Sequence, residues 1–231
     1  MKAKERHDIK TDKFLETVAI IEDFLVRHAK TIGLGFLAII VITAITIGTV
    51  MFLNSREENA ARDLNAIIDD IHGTIESDSS ESEDIQSLIT ETRAVIENHG
   101  GTASGIIGNY YLGLLLLKAD EQEDAEKEFR NVMESNHPTY WSLAAKELAT
   151  ILIKKDNFDE AASVFSEVAN SNNLNLPKAY FAWRAGLCYE KLGDKNQALL
   201  YFNKAKEGQD LTLDAALLGK IERKIQELSR Q

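Results

Sequence analysis

A chain of 231 residues with 44% apolar composition and a net charge of −11 is long enough for one well-cored domain. Its acidity argues against non-specific binding to nucleic acid or to anionic lipid. One cysteine, Cys188, excludes an internal disulfide, and 7% aromatic content with two prolines, Pro138 and Pro177, suits an all-α protein.

Residues 1–10 are polar and read as flexible. The spacing predicts a helix from Thr11 or Asp12, which would serve as its N-cap. Phe14, Val18, Ile21 and Leu25 recur at helical intervals, and Leu15 and Phe24 widen the stripe. Such a face lies on a membrane surface, docks on a partner, or simply lengthens the helix that follows.

That next element is uncharged from Thr31 to Ser55, with an apolar centre from Ile32 to Leu53. Twenty-two helical residues reach about 33 Å, against a hydrocarbon thickness of about 30 Å. The run is too long for a signal peptide, and Phe52-Leu53-Asn54-Ser55 offers no small-x-small cleavage site. A single uncleaved transmembrane helix is expected. Ala44 and Gly48, with Thr43, Thr46 and Thr49 nearby, form a small-residue pair of the kind that lets membrane helices approach. Seven Lys or Arg precede the run and two lie in the twenty residues after it, which predicts a cytoplasmic N-terminus. Beyond the anchor 31 acidic residues face 19 basic ones.

Four regions follow: 1–30, a cytoplasmic amphipathic segment; 31–55, the anchor; 56–100, a helical pair with an acidic linker; and 101–231, a repeat domain. In the pair, Leu64, Ile67, Ile68, Ile71 and Ile75 stripe one helix. Ile85, Leu88, Ile89, Thr92, Val95 and Ile96 stripe the second, Asp84 to His99, which Gly100-Gly101 ends. The linker Ser77 to Glu83 lacks the spaced ligands and turn glycine of a calcium loop and reads as solvated.

From Ala103 the chain repeats itself. Gly113, Ala125, Phe129 and Val132 align with Ala149, Ala161, Phe165 and Val168, and with Gly186, Ala198, Phe202 and Ala205. Each unit is a helix, a short polar turn and a second helix. The small residue and the alanine are expected to face each other, with the phenylalanine filling the gap to the neighbouring unit. Pro138 and Pro177 stand at entrances to first helices, where a missing N–H costs little. Leu213 to Leu228, carrying Ala216, Leu217, Ile221, Ile225 and Leu228 on one face, is expected to cap the last unit.

These units resemble the tetratricopeptide repeat (TPR), most clearly through Gly186, Tyr189, Gly193, Ala198 and Phe202. Unit two matches through Ala149, Leu152, Phe158, Ala161 and Phe165. Unit one departs most, with Asp120 in place of the usual turn glycine. The layout of amphipathic segment, anchor, helical pair and repeats also resembles the bacterial YfgM-like ancillary translocon subunits, in detail over Thr139 to Ala149 and Asn157 to Ala162. The resemblance implies a TPR-type solenoid in the periplasm, anchored in the bacterial inner membrane. Its implied partners are translocon subunits, periplasmic chaperones or unfolded chains.

Catalytic chemistry is not legible. The five histidines share no metal-ligand spacing, there is no HExxH, CxxC, GxSxG or phosphate-cradling loop, and Cys188 reads as a buried small side chain. No enzyme activity, cofactor, metal site or nucleic-acid partner is expected. By TPR register the concave face takes Ile107, Tyr110, Leu114 and Leu117 from unit one. Unit two contributes Leu143, Lys146, Thr150 and Ile153, and unit three Tyr180, Trp183, Leu187 and Glu190. This row is largely apolar. Lys146 and Arg184, with Glu147 between them in sequence, make a poor carboxylate clamp. An apolar helix or unfolded segment is the expected ligand, unless residues 56–99 or the C-terminal helix fill the groove. The function expected is a membrane-anchored scaffold or adaptor acting through protein–protein contact. The alternatives are a structural, oligomerising subunit of a membrane-associated complex and a cytosol-facing receptor on an organelle.

Overall fold

The computed structural model describes residues 2–77, 82–135, 137–172, 176–208 and 214–230, with side chains from residue 15 onward except residue 82. These residues form ten helices and no strand: α1 (Lys2–Asn65), α2 (Ile68–Glu76), α3 (Ser82–His99), α4 (Ala103–Lys118), α5 (Gln122–Glu134), α6 (Tyr140–Lys154), α7 (Phe158–Asn170), α8 (Lys178–Lys191), α9 (Lys195–Glu207) and α10 (Ala215–Arg230). Two units divide the chain at Ser55 and Arg56.

In the first unit helix runs continuously from Lys2, so the N-cap expected at Thr11 or Asp12 is not one. The reason is local. Residues 2–30 contain neither proline nor glycine, and nothing there interrupts the hydrogen-bond ladder. Val18, Ile21, Phe24 and Leu25 are all exposed, as are the apolar side chains from Leu34 to Leu53. The stretch is long and apolar enough to cross a membrane. Thr43, Thr46 and Thr49 each donate a hydroxyl hydrogen bond to the carbonyl four residues back, at 2.8, 2.8 and 2.9 Å. Their protons are therefore used within the helix rather than across to another. Phe14 and most of the acidic linker lie outside the described side chains.

The second unit begins in the last turns of α1. At Ala66-Ile67 the ladder tightens, Ile67 N–H bonding the carbonyl of Leu64 three residues back, and α2 follows. Leu64 and Ile71 are buried, and Ile67, Ile68 and Ile75 pack at the edge of the core. Helices α4/α5, α6/α7 and α8/α9 are the three repeat hairpins, each packed on the next, and α10 packs on α9. Every aligned position of the repeat is buried: Phe129, Phe165 and Phe202, with Ala125, Ala161 and Ala198, have no exposed surface.

Within a hairpin the residue that meets the small side chain is the phenylalanine. A Cβ on Gly113 would stand 2.7 Å from the Phe129 ring, and one on Gly186 would stand 2.5 Å from the Phe202 ring. The ring thus closes its own hairpin in units one and three. Where Ala149 takes the glycine's place, the Phe165 ring neighbours Phe181 of the next hairpin at 6.1 Å and lies 5.2 Å below the Arg184 guanidinium.

The three hairpin turns are one structure made by different residues. Asp120, Asp156 and Gly193 all have positive φ, at 63°, 56° and 76°. The next residue's N–H reaches back to Leu116, Leu152 and Tyr189 respectively, the six-to-one bond of a Schellman motif. Aspartate tolerates the left-handed conformation better than most L-residues, so the absent turn glycine of unit one changes the cost but not the geometry.

Glu57, within the second unit, holds the start of α4. Its carboxylate accepts the N–H of Ala103 at 2.7 Å, the N–H of Ser104 at 2.9 Å and the Ser104 hydroxyl at 2.6 Å, at the positive end of α4. Burial opposes its ionisation. The Ser104 and Ala103 hydrogen bonds and nearby His137 outweigh that, and hold the carboxyl below its ordinary pKa near 4.5.

Two outcomes are expected. Gly186→Ala should destabilise the fold by about 1–3 kcal/mol through overpacking, and Phe202→Leu in the same chain should recover part of the loss. Urea midpoints of the two single variants and the double variant check this. Glu57→Gln should cost about 1–2 kcal/mol at neutral pH. Because the folded carboxyl titrates below the unfolded one, its contribution is whole above about pH 4.5 and disappears as pH falls through the folded value. The variant and parent melting curves should therefore converge in acid.

Candidate binding groove

Alternate helices α4, α6 and α8 are the first members of the hairpins, and one face of each is left over after the core positions are used. The residues expected to form a groove sit on that face. Leu143, 38% exposed, and Lys146 are the most open; Ile107, Tyr110, Leu114, Leu117, Thr150, Ile153, Tyr180, Trp183, Leu187 and Glu190 are partly buried. The eight apolar or aromatic members of that partly buried set pack on the edge of the core while keeping some surface in solvent.

Aromatic rings gather at the α4–α6 end. Tyr110 meets Tyr140 edge-on at 5.2 Å, and the Tyr111 and Tyr140 hydroxyls stand 3.5 Å apart. Burial first, then the Glu147 charge and Tyr140, push the Tyr110 phenol up to about 12. Burial, and after it the Tyr140 hydroxyl, raise Tyr111 as well. The Tyr110 ring is thus neutral contact surface at physiological pH, while Tyr111 is buried behind it. Helix α2 borders this end: His72 Nε2 is 2.9 Å from the Tyr111 hydroxyl, and the Lys118 ammonium donates to the Ser77 carbonyl.

At the other end α10 forms a wall. Lys224 Nζ bonds Glu190 Oε1 at 2.8 Å, and Trp183 lines a cleft with Lys220, Arg223, Lys224 and Glu227. Ile221 and Leu228 of α10 are buried, Leu217 and Ile225 pack on the core, and Ala216 of the expected stripe is exposed. Leu213 lies outside the described residues. The chain's own helices thus border both ends of the row, and its centre on α6 stays open.

The two cations considered for a clamp are engaged elsewhere. Lys146 Nζ pairs with Glu147 at 3.1 Å, and the Arg184 guanidinium lies over the Phe165 ring. The cations that do reach the groove come from α10. Their sequence signal was the basic run Lys220-Ile221-Glu222-Arg223-Lys224 in an acidic chain, on a helix that periodicity marked only as a cap.

Among the described residues no three His, Cys, Asp or Glu side chains gather as a metal site would require. Cys188 is buried, and burial pushes its thiol up to about 11 against the opposing charge of Arg184. A thiol in that state is a weak nucleophile.

Comparison with known proteins agrees with this architecture. The family model described as the TT21 fifth ARM repeats domain matches residues 111–219, a little under half of the chain. No curated protein sequence matches. Among solved structures, BtubC (BKLC) from P. vanneervenii superposes with a TM-score of 0.55 at 13% identity, covering 77% of this chain and 83% of that one. PcrH from Pseudomonas aeruginosa is similar at a TM-score of 0.45 and 19% identity, over 56% of this chain and 96% of that one. The chain is a helical-repeat protein.

Proposed function

We propose that this protein is a single-pass membrane adaptor whose repeat domain holds apolar segments of other proteins along α4, α6 and α8. One observation carries the reading: Leu143, Tyr110, Ile153, Tyr180 and Trp183 keep exposed surface on the first helices, beside a core built from the aligned repeat positions. A row of apolar and aromatic side chains at helical spacing suits an amphipathic helix or an extended apolar stretch. The anchor supports tethering, since the apolar side chains from Leu34 to Leu53 are exposed.

The basic residues before the anchor favour a cytoplasmic N-terminus and an extracytoplasmic repeat domain, within the inner membrane of a bacterium. On that side of the membrane, segments emerging unfolded from a translocon, translocon subunits and periplasmic chaperones are the partners the resemblance to YfgM-like proteins suggests.

Reporter fusions after Gln231 and in-cell photo-crosslinking from position 143 test both levels. An extracytoplasmic reporter with crosslinks to translocon subunits or to nascent secreted chains is the expected result. A cytoplasmic reporter removes the translocon reading. Crosslinks only between copies of this chain favour an oligomerising structural subunit. In vitro, Leu143→Asp should weaken binding of a fluorescent apolar peptide by about tenfold, or about 1.4 kcal/mol. The melting temperature should be unchanged, because Leu143 is already exposed.

A further inference from the structure

We infer that the α8–α10 end of the groove is an anion subsite, which selects apolar segments of partner proteins that carry carboxylates at one end. The inference rests on the proposed groove and adds its charge preference. The cleft is lined by Trp183, Lys220, Arg223, Lys224 and Glu227. Lys224 is already neutralised, by Glu190 at 2.8 Å and Glu227 at 3.7 Å. Nearby Glu222 is committed to Lys206 at 3.0 Å. Arg223 spends its Nε hydrogen on the carbonyl of Gly219, at 3.2 Å. The rest of its guanidinium and the Lys220 ammonium have no acidic partner among the described residues.

Lys220, Arg223 and Lys224 therefore outnumber Glu190 and Glu227 beside an indole, a local excess of one positive charge in a chain of net charge −11. Several cations of the repeats, by contrast, are paired. Arg130 bonds both Glu126 and Glu160, Lys155 bonds Glu126, and Lys146 bonds Glu147. Charge left unpaired where a binding face ends complements a ligand of opposite sign and fixes which way round it lies. Trp183, Tyr180 and Leu187, one helical turn apart, would take the apolar side chains next to the carboxylates.

The test uses the full chain in phosphatidylcholine nanodiscs, with Trp141→Phe so that Trp183 alone reports. The probes are two acetylated, amidated peptides, Leu-Ala-Phe-Leu-Ala-Leu-Glu-Glu and the same sequence ending Gln-Gln, with empty nanodiscs as the blank. The Glu peptide should bind about tenfold more tightly, and about 0.5 M salt should erase most of that preference. The double variant Lys220→Gln/Arg223→Gln should lose the preference while keeping its affinity for the Gln peptide and its melting temperature. Equal binding of both peptides overturns the anion subsite and leaves the apolar groove standing. Binding of neither overturns both. Self-association of the parent that the double variant abolishes would make a second copy the occupant and would also overturn the inference.

Discussion

Everything in the repeat domain depends on how closely two helices approach inside each hairpin. At Gly113 and Gly186 there is no room for a side chain, because the ring of Phe129 or Phe202 occupies the space a methyl would need. That contact sets the hairpin's width and places the alanines 12 residues further on against the opposing helix, with no surface exposed. Since each hairpin is built from the same contact, the next one can stack on it with the same geometry, and the solenoid extends as a series of nearest-neighbour interfaces. Ala149 shows how far the contact can be relaxed. There Ala149 is buried, and Phe165 lies against Phe181 and under Arg184, so that the ring helps to join hairpins two and three.

The turns carry the same lesson at the level of the backbone. A left-handed residue is demanded after each first helix, and the chain answers with aspartate twice and glycine once. The hydrogen bonds that close the three motifs are equivalent. A different kind of fastening holds the first hairpin: the N–H groups that open α4 are satisfied by Glu57 from the end of α1, and Thr102 accepts the Gly105 N–H at 2.9 Å. The start of α4 and the ends of the three first helices are thus closed by side chains and backbone bonds.

Function is read from what this packing leaves over. The core takes one face of each first helix, and the second helices cover the flank. The remaining face displays leucine, isoleucine, tyrosine and tryptophan to solvent. Further charge comes from outside the repeats, through α10, whose buried Ile221 and Leu228 hold the helix so that Lys220, Arg223 and Lys224 line the cleft at Trp183. A capping helix in this protein closes the core and also supplies the polarity of the groove's end.

Periodicity and spacing were enough to identify an all-α chain, a long apolar helix and three hairpins in register, because each is encoded within a few turns of chain. Phe129, Phe165 and Phe202 were identifiable as core from their shared offset alone. The close approach of each ring to Gly113 or Gly186 was not, since it joins side chains sixteen residues apart on two different helices. The continuity of α1 through Asn65 was missed as well, although the stretch holds no proline to stop it. The Glu57 cap could not be read locally, because its partners at Ala103 and Ser104 lie more than forty residues away. Lys220 and Arg223 reach Trp183 only after α10 folds back. Charge at a distance in sequence becomes a neighbour only through tertiary packing, and that is where the groove acquires its direction.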